Sequence, residues 1–451
     1  MSSQFPFGFT PGGGQGGDKD GPLGPFGFGG AAPFFAELEK LLSWKGGPVN
    51  WDLARQVAAR TVGTDDPELS PADEEAVAGA LRIADVWLDP VTTLPAGGAV
   101  AAAWTRLRWI EATLPVWRKL CDPVAGRVVE AMRAALSGGL AQLGGAGALP
   151  PELASALPPG LDLGALMAAG GPFVEMMNQV GGMLFGAQVG QAIGQLASEV
   201  VSSTEIGLPL APAGTAALLP ANVAAFGEGL GVEADEVRIY LALREAAATR
   251  LFAHVPWLRA HLLGTVEEYA RGITVDQDAL GQMMGMLDPS ALADPERLAE
   301  ALGEDMFAEA TTPEQRAALS RLEVALALVE GWIDHVTDAA AGEHLPAAAR
   351  LREMVRRRRG EGGPAEQSFA TLVGLSLRPR RLREASALWE QLRAERGTEG
   401  RDAVWEHPDL LPSADDLTDP EAFVSGAGAS TIDPIAEIER LNDTPPDEGK
   451  A

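Results

Sequence analysis

Four glycines spaced four residues apart, Gly182, Gly186, Gly190 and Gly194 in GGMLFGAQVGQAIGQLA, limit the folds open to this chain. On a helix that spacing places them in one row. Each costs roughly 1 kcal/mol of helix stability relative to alanine. Keeping four in register requires a second backbone close against the row, because only a missing side chain permits that approach. Gln188, Gln191 and Gln195 interrupt the apolar character of the segment. The expectation is therefore a helix pair inside a soluble core, not a membrane span.

The rest of the chain reads the same way. FFAELEKLLSW has apolar residues at helical spacing, Asn50 is placed to cap WDLARQVAART, and Ser70, with Glu74 nearby, opens the next helix. Trp104, Trp109 and Trp117 read as core anchors. No alternating run signals a substantial sheet, so the predicted fold is mostly α. Composition divides the chain into a Gly/Pro/Phe-rich arm over residues 1–33 that reads as disordered, a helical region over 34–137 and a Gly/Pro/Ala-rich linker over 138–170. A helical core over 171–345, a C-terminal helical region over 346–424 and an acidic disordered tail over 425–451 follow.

Charge and cysteine content exclude several classes. A net charge of −28 argues against general nucleic-acid binding and against anionic membranes. The single cysteine, Cys121, allows no intrachain disulfide and no cysteine-based zinc site, which fits a cytoplasmic protein. The N-terminus lacks the basic and apolar regions of a secretory signal. No G-x-S-x-G elbow or phosphate-binding loop is present.

One helical segment carries chemistry. Residues 243–254, LREAAATRLFAH, have the outline of the H-E-x-x-H helix, in which two histidines one turn apart hold zinc and the adjacent glutamate activates its water. Glu245 stands in the glutamate position, with Arg244 and Ala248 where the histidines would be. His254, six residues beyond Ala248, is rotated by about 240° and leaves that face.

Several blocks together resemble the actinobacterial zincin-like hydrolases of the zinc-dependent metalloprotease type, some relatives of which are labelled as associated with coenzyme F420 biosynthesis. These are GPVNWDLARQVA (47–58), GAQVGQAIGQLA (186–197), LPANVAAF with VRIYLALREAAATRLFAHVPWLR, LALVEGWIDHV (326–336), RRRRGEGGPAEQSFATLVGLSLRPRRLREASALW (356–389) and WEHPDLLPSADDL. The resemblance spans about residues 34 to 424 and implies a mostly helical zincin-like assembly and a zinc cofactor. It further implies Glu245 as catalytic base and Glu330 as third metal ligand. The same alignment puts Arg244 and Ala248 on the two absent histidines, so the expectation is that zinc is not bound. No segment reads as a deazaflavin site.

Two readings of the site follow. In one, Glu245, Glu330, Asp334 and His335 rebuild a metal site, giving an active cytoplasmic hydrolase or peptidase with an unconventional ligand set. In the other, Arg244 pairs with Glu330 or Asp334 in the same pocket and the chain is a non-catalytic scaffold, a pseudoenzyme serving a protein or peptide partner. The second is preferred, because neither arginine nor alanine ligates zinc. The arginine cluster Arg352, Arg356 to Arg359, Arg378, Arg380, Arg381 and Arg383 is open to an anionic ligand, but the surplus of Asp and Glu favours self-pairing.

Overall fold

The computed structural model describes residues 47–64, 66–142, 171–271, 312–342, 344–360 and 381–426. The arm at 1–33, nearly all of the linker at 138–170 and of the tail at 425–451, and Arg378 and Arg380 lie outside the described residues.

The glycine row does what its spacing predicts. Helix α1 (Trp51–Val62) packs on α4 (Gly171–Ala197). A Cβ built on Gly190 would stand 2.4 Å from the Ala54 carbonyl oxygen, and one on Gly186 would stand 2.6 Å from that of Asn50. At Gly194 the obstacle is the Thr61 side chain, at 2.5 Å. Asn50 joins the pair twice: its Oδ1 accepts from the Leu53 N–H at 3.0 Å as the cap of α1, and its own N–H donates to the Gly182 carbonyl at 2.8 Å.

Helix α2 (Pro71–Leu88) starts at a capping box, but the partner of Ser70 is Asp73 rather than Glu74, because the N3 position is the one that reaches back to the cap. Next come β1 (Val100–Ala103), α3 (Arg106–Gln142), β2 (Thr215–Leu218), α5 (Pro220–Gly227), α6 (Ala234–His254) and α7 (Pro256–Arg271). Helix α3 carries the first five residues of the expected linker, 138–142, as helix. Trp104, Trp109 and Trp117 are buried. Pro256 ends α6 and begins α7, since its ring cannot continue the preceding helix.

The remaining elements are α8 (Pro313–Ala341), α9 (Ala348–Gly360), α10 (Leu382–Asp402), α11 (Ala414–Thr418) and α12 (Glu421–Ser425). Twelve α-helices against two four-residue strands make the described residues mostly α. The strands pair in parallel, Val100 opposite Thr215, and Ser202 forms an antiparallel bridge to Leu218 on the far edge of β2.

Helices α6 and α8 lie at the centre. Both are buried around most of their circumference along their middles, so their charged residues there, Glu245, Arg250, Glu330 and Asp334, need partners inside the protein. They pack on each other, α6 also on α2, and α8 also on α7 and α10. Gly331 lets α8 approach α10: its Cβ would stand 2.6 Å from that of Ala385. Helices from before and after the 143–170 segment therefore pack together, and Arg244 and Glu330 face each other between α6 and α8.

Candidate functional site

The four-residue spacing of Arg244 and Ala248 puts both on the face of α6 that looks toward α8. With Glu330 of α8 and Arg359 of α9 they line one small cavity of about 20 Å³. Arg244 Nη2 donates to Glu330 Oε2 at 2.9 Å, and Arg359 Nη1 lies 2.6 Å from Glu330 Oε1. Each oxygen of this buried carboxylate thus faces its own guanidinium. Gly207, at φ +75°, brings backbone close on a further side: a Cβ there would stand 3.1 Å from Glu330 Oε1.

Asp334, one helical turn on, is held as firmly. Its Oδ2 accepts from Arg352 at 2.8 Å, from Arg356 at 2.6 Å and from the Ser386 hydroxyl at 2.9 Å, and its Oδ1 lies 4.0 Å from Arg244 Nη1. Against the penalty of burial, the Arg352 hydrogen bond and the Arg244 and Arg356 guanidiniums hold its carboxyl down at about 2. Burial opposes the charge on Arg244 too, yet Glu330, Tyr240 and Asp334 beside it raise its pKa above the usual arginine value. The arginine run of α9 is therefore self-paired where it is described: Arg352 also reaches Asp338 at 2.6 Å.

Glu245 takes no part in that cavity. It is 0% exposed and turned toward β2. Its Oε1 accepts from the Ser203 hydroxyl and from the Ala217 N–H at 3.0 Å, and its Oε2 from the Thr204 hydroxyl at 2.6 Å and N–H at 3.2 Å. Burial raises its pKa, while the Ser203 and Thr204 hydroxyls, the Ala217 N–H and the Ser202 side chain oppose the rise. The carboxylate ties the Ser202–Leu218 bridge region to the centre of the molecule. None of these donors was singled out in the sequence, although the hydroxyl run Ser202, Ser203, Thr204 was a visible signal.

Among the described residues no histidine lines the cavity beside Arg244. His335 is buried next to Asp334, and its Nε2 has no partner. Burial, with Arg401 and Arg393 nearby, depresses its pKa to about 4. His344 stacks on Trp87 with ring centroids 4.3 Å apart, and His261 meets Trp257 edge-on at 5.6 Å. His254 and His407 are exposed. Among the described residues no group of three His, Cys, Asp or Glu side chains is placed to hold a metal ion.

A family profile described as "Zincin-like metallopeptidase" matches residues 49–424. The chain belongs to the zincin-like metallopeptidase family. No curated protein matches this zincin-like chain. Its structure is similar to the "Crystal structure of a putative hydrolase with a novel fold from Chloroflexus aurantiacus", at 20% identity and a TM-score of 0.55, over 84% of this chain and 99% of that one. That likeness is one of fold.

The family description implies zinc, and the residues present do not fit it. Arg244 and Ala248, which the sequence reading sets against the motif histidines, are not zinc-ligating side chains, and both Glu330 oxygens face guanidiniums. A dication beside Arg244 and Arg359 would also meet strong repulsion at low dielectric. Two further residues escaped the sequence reading. Arg250, 1% exposed, joins α6 to Asp85 and Asp89 at 3.0 and 2.8 Å. Asp402 accepts from Trp332 at 2.9 Å, from Thr92 at 2.7 Å and from Arg401. No helix among the described residues is long and apolar enough to cross a membrane.

Proposed function

We propose that this chain is a non-catalytic member of its family, a helical scaffold for a protein or peptide partner, in which an arginine–carboxylate lock stands where a metallopeptidase holds its metal. The observation that carries the reading is the pairing of Glu330 with Arg244 at 2.9 Å and Arg359 at 2.6 Å. Guanidinium replaces metal charge without providing a Lewis acid or an activated water. Glu245, its lone pairs directed at Ser203, Thr204 and Ala217, acts as a structural anchor in this reading rather than as a base. Asp334 and His335 belong to the packing of α8, the first with arginines and the second as a neutral ring. The buried Cys121 and the acidic composition support a cytoplasmic setting.

Metal analysis of the full chain after exposure to zinc and removal of free metal tests this. Wild type is expected to be metal-free, whereas the double variant Arg244→His, Ala248→His, which gives Glu330 two imidazole partners on one helix face, is expected to retain zinc. Stoichiometric zinc in wild type that disappears in Glu330→Ala would overturn the reading and restore a hydrolase with an unconventional ligand set.

A further inference from the structure

The two edges of the small sheet differ. β2 is covered on its outer edge, where the Ser203 N–H donates to the Ala217 carbonyl and the Ala217 N–H donates to Glu245. On its inner edge it meets β1: the Val100 N–H donates to the Gly214 carbonyl and the Trp104 N–H to that of Leu218. In a parallel ladder alternate residues face the partner strand, so Val100, Ala102 and Trp104 turn their polar groups to β2, and Ala101 and Ala103 turn theirs away. Among the described residues the Ala101 and Ala103 N–H groups have no partner, and Ala101 is exposed. The strand, VAAA, carries no charge or proline to keep a further strand off this edge.

A cavity of about 80 Å³ lies beside the free edge. The strands supply Ala101 and Ala216, α2 supplies Leu81, Arg82 and Asp85, and α6 supplies Ala246. Ala246 is about 200° round α6 from Arg244, so this cavity is on the other side of that helix from the arginine–carboxylate pairs. Ala101 and Ala216 stand opposite one another in the register and share a face of the sheet. A third strand on the free edge would set the residue opposite Ala101 on that same face, over the cavity. Its next residue would lie beside Val100 and cover that side chain, now 69% exposed. Asp85 is taken by Arg250 at 3.0 Å, whereas Arg82, exposed on the rim, has no partner among the described residues.

We infer that the free edge of β1 is where the partner docks: an extended segment of another protein that adds a strand to β1, puts an aliphatic side chain into the cavity and sets a carboxylate against Arg82. Two outward-facing residues give main-chain bonds but little selectivity, which the cavity and Arg82 supply. The inference rests on the scaffold reading, and the two fail on different measurements: that reading on zinc content, this one on peptide binding.

The test presents the full chain with a phage-displayed library of random octapeptides. Selected sequences are expected to carry Val, Leu or Ile with Asp or Glu two residues away, on the same face of an extended chain. The affinity of a selected peptide should fall about tenfold in Ala101→Pro, which removes an outward N–H and leaves the β1–β2 ladder whole. Selection on Arg82→Glu, a change at an exposed position, should replace the acidic preference by Lys or Arg. Adding the peptide to wild type should slow amide exchange at Ala101 and Ala103 and leave Ala102, which faces β2, unchanged. No selection above the blank support, the same preference in Arg82→Glu, or exchange at Ala101 and Ala103 unmoved by the peptide overturns the site. So does a dimer of the chain alone that Ala101→Pro dissociates, which would give the edge to a second copy.

Discussion

Arg244 Nη2 lies 2.9 Å from Glu330 Oε2, an ion pair between α6 and α8 that joins residues 86 positions apart in sequence. Both side chains are at least nine-tenths buried, at 10% and 2% exposure. Two isolated charges at that depth would be costly, so each depends on the other. The same pair occupies Glu330, which the proposed reading sets at the place of a metal ligand. One contact thus bears on both stability and activity.

Removing one partner should cost more than the pair contributes. Arg244→Ala leaves Glu330 buried with Arg359 as its remaining cation. It is expected to destabilise the protein by about 3 kcal/mol, the usual cost of breaking a buried pair. Urea unfolding measures this. A loss below about 1 kcal/mol would place the pair in the class of exposed bridges, whose contribution is small.

Glu245→Gln should be destabilising for a separate reason. The amide nitrogen would face donors, the Ser203 and Thr204 hydroxyls and the Thr204 and Ala217 N–H groups, and leave some of them unmet. A loss of about 1–3 kcal/mol is expected. Hydrogen exchange should also accelerate at Ala217 and Thr204 relative to the α1–α4 pair. Unchanged protection at both amides would contradict the anchoring role.

His335 makes stability depend on pH. Its folded pKa, about 4, is below the 6.5 of an ordinary histidine. The unfolded chain therefore takes up the proton first. The contribution is fully present above pH 6.5 and is lost as pH falls through about 4, on the order of 3 kcal/mol in all. His335→Asn should flatten the stability profile across that window. Asp334, depressed to about 2, acts further down, where its contribution fades below pH 3.8. A variant profile as steep as wild type between pH 6.5 and 4 would rule His335 out as the source.

Two glycine-to-alanine substitutions should have opposite signs. Gly190→Ala places a methyl 2.4 Å from the Ala54 carbonyl oxygen, which is backbone and cannot turn away. Separating α1 from α4 is expected to cost about 1–3 kcal/mol. Gly264→Ala on α7 has nothing within 4 Å and should gain about 0.5–1 kcal/mol from helix propensity. Paired thermal melts check both. Equal effects at the two sites would mean that the glycine row is not a packing seam.

How far the molecule could be read in advance follows from the range of each interaction. The α1–α4 contact was legible in part because a four-residue repeat of glycines is a local pattern with one packing explanation. The common face of Arg244 and Ala248 was legible because helical geometry is set within a single turn. Ser70 was legible as the cap of α2 from residue type, whereas Asp73 as its partner depends on which residue falls at N3. The four donors on Glu245 were not legible. They come from positions 28 to 42 residues away, brought together by the Ser202–Leu218 bridge, which no hydropathy period announces. The arginines of α9 could be expected to self-pair, yet nothing local says that Arg359 meets Glu330 while Arg352 and Arg356 meet Asp334.

By itself the sequence determined that the chain is mostly helical, that two helices meet along a glycine row, and that Arg244 and Ala248 share one helix face beside Glu245. Each of these depends on residue type and spacing within a few turns. Only the tertiary structure decided what that face meets. A guanidinium reaches a carboxylate 86 positions away only after α6 and α8 have packed, and burial between those helices is what makes the pairing obligatory.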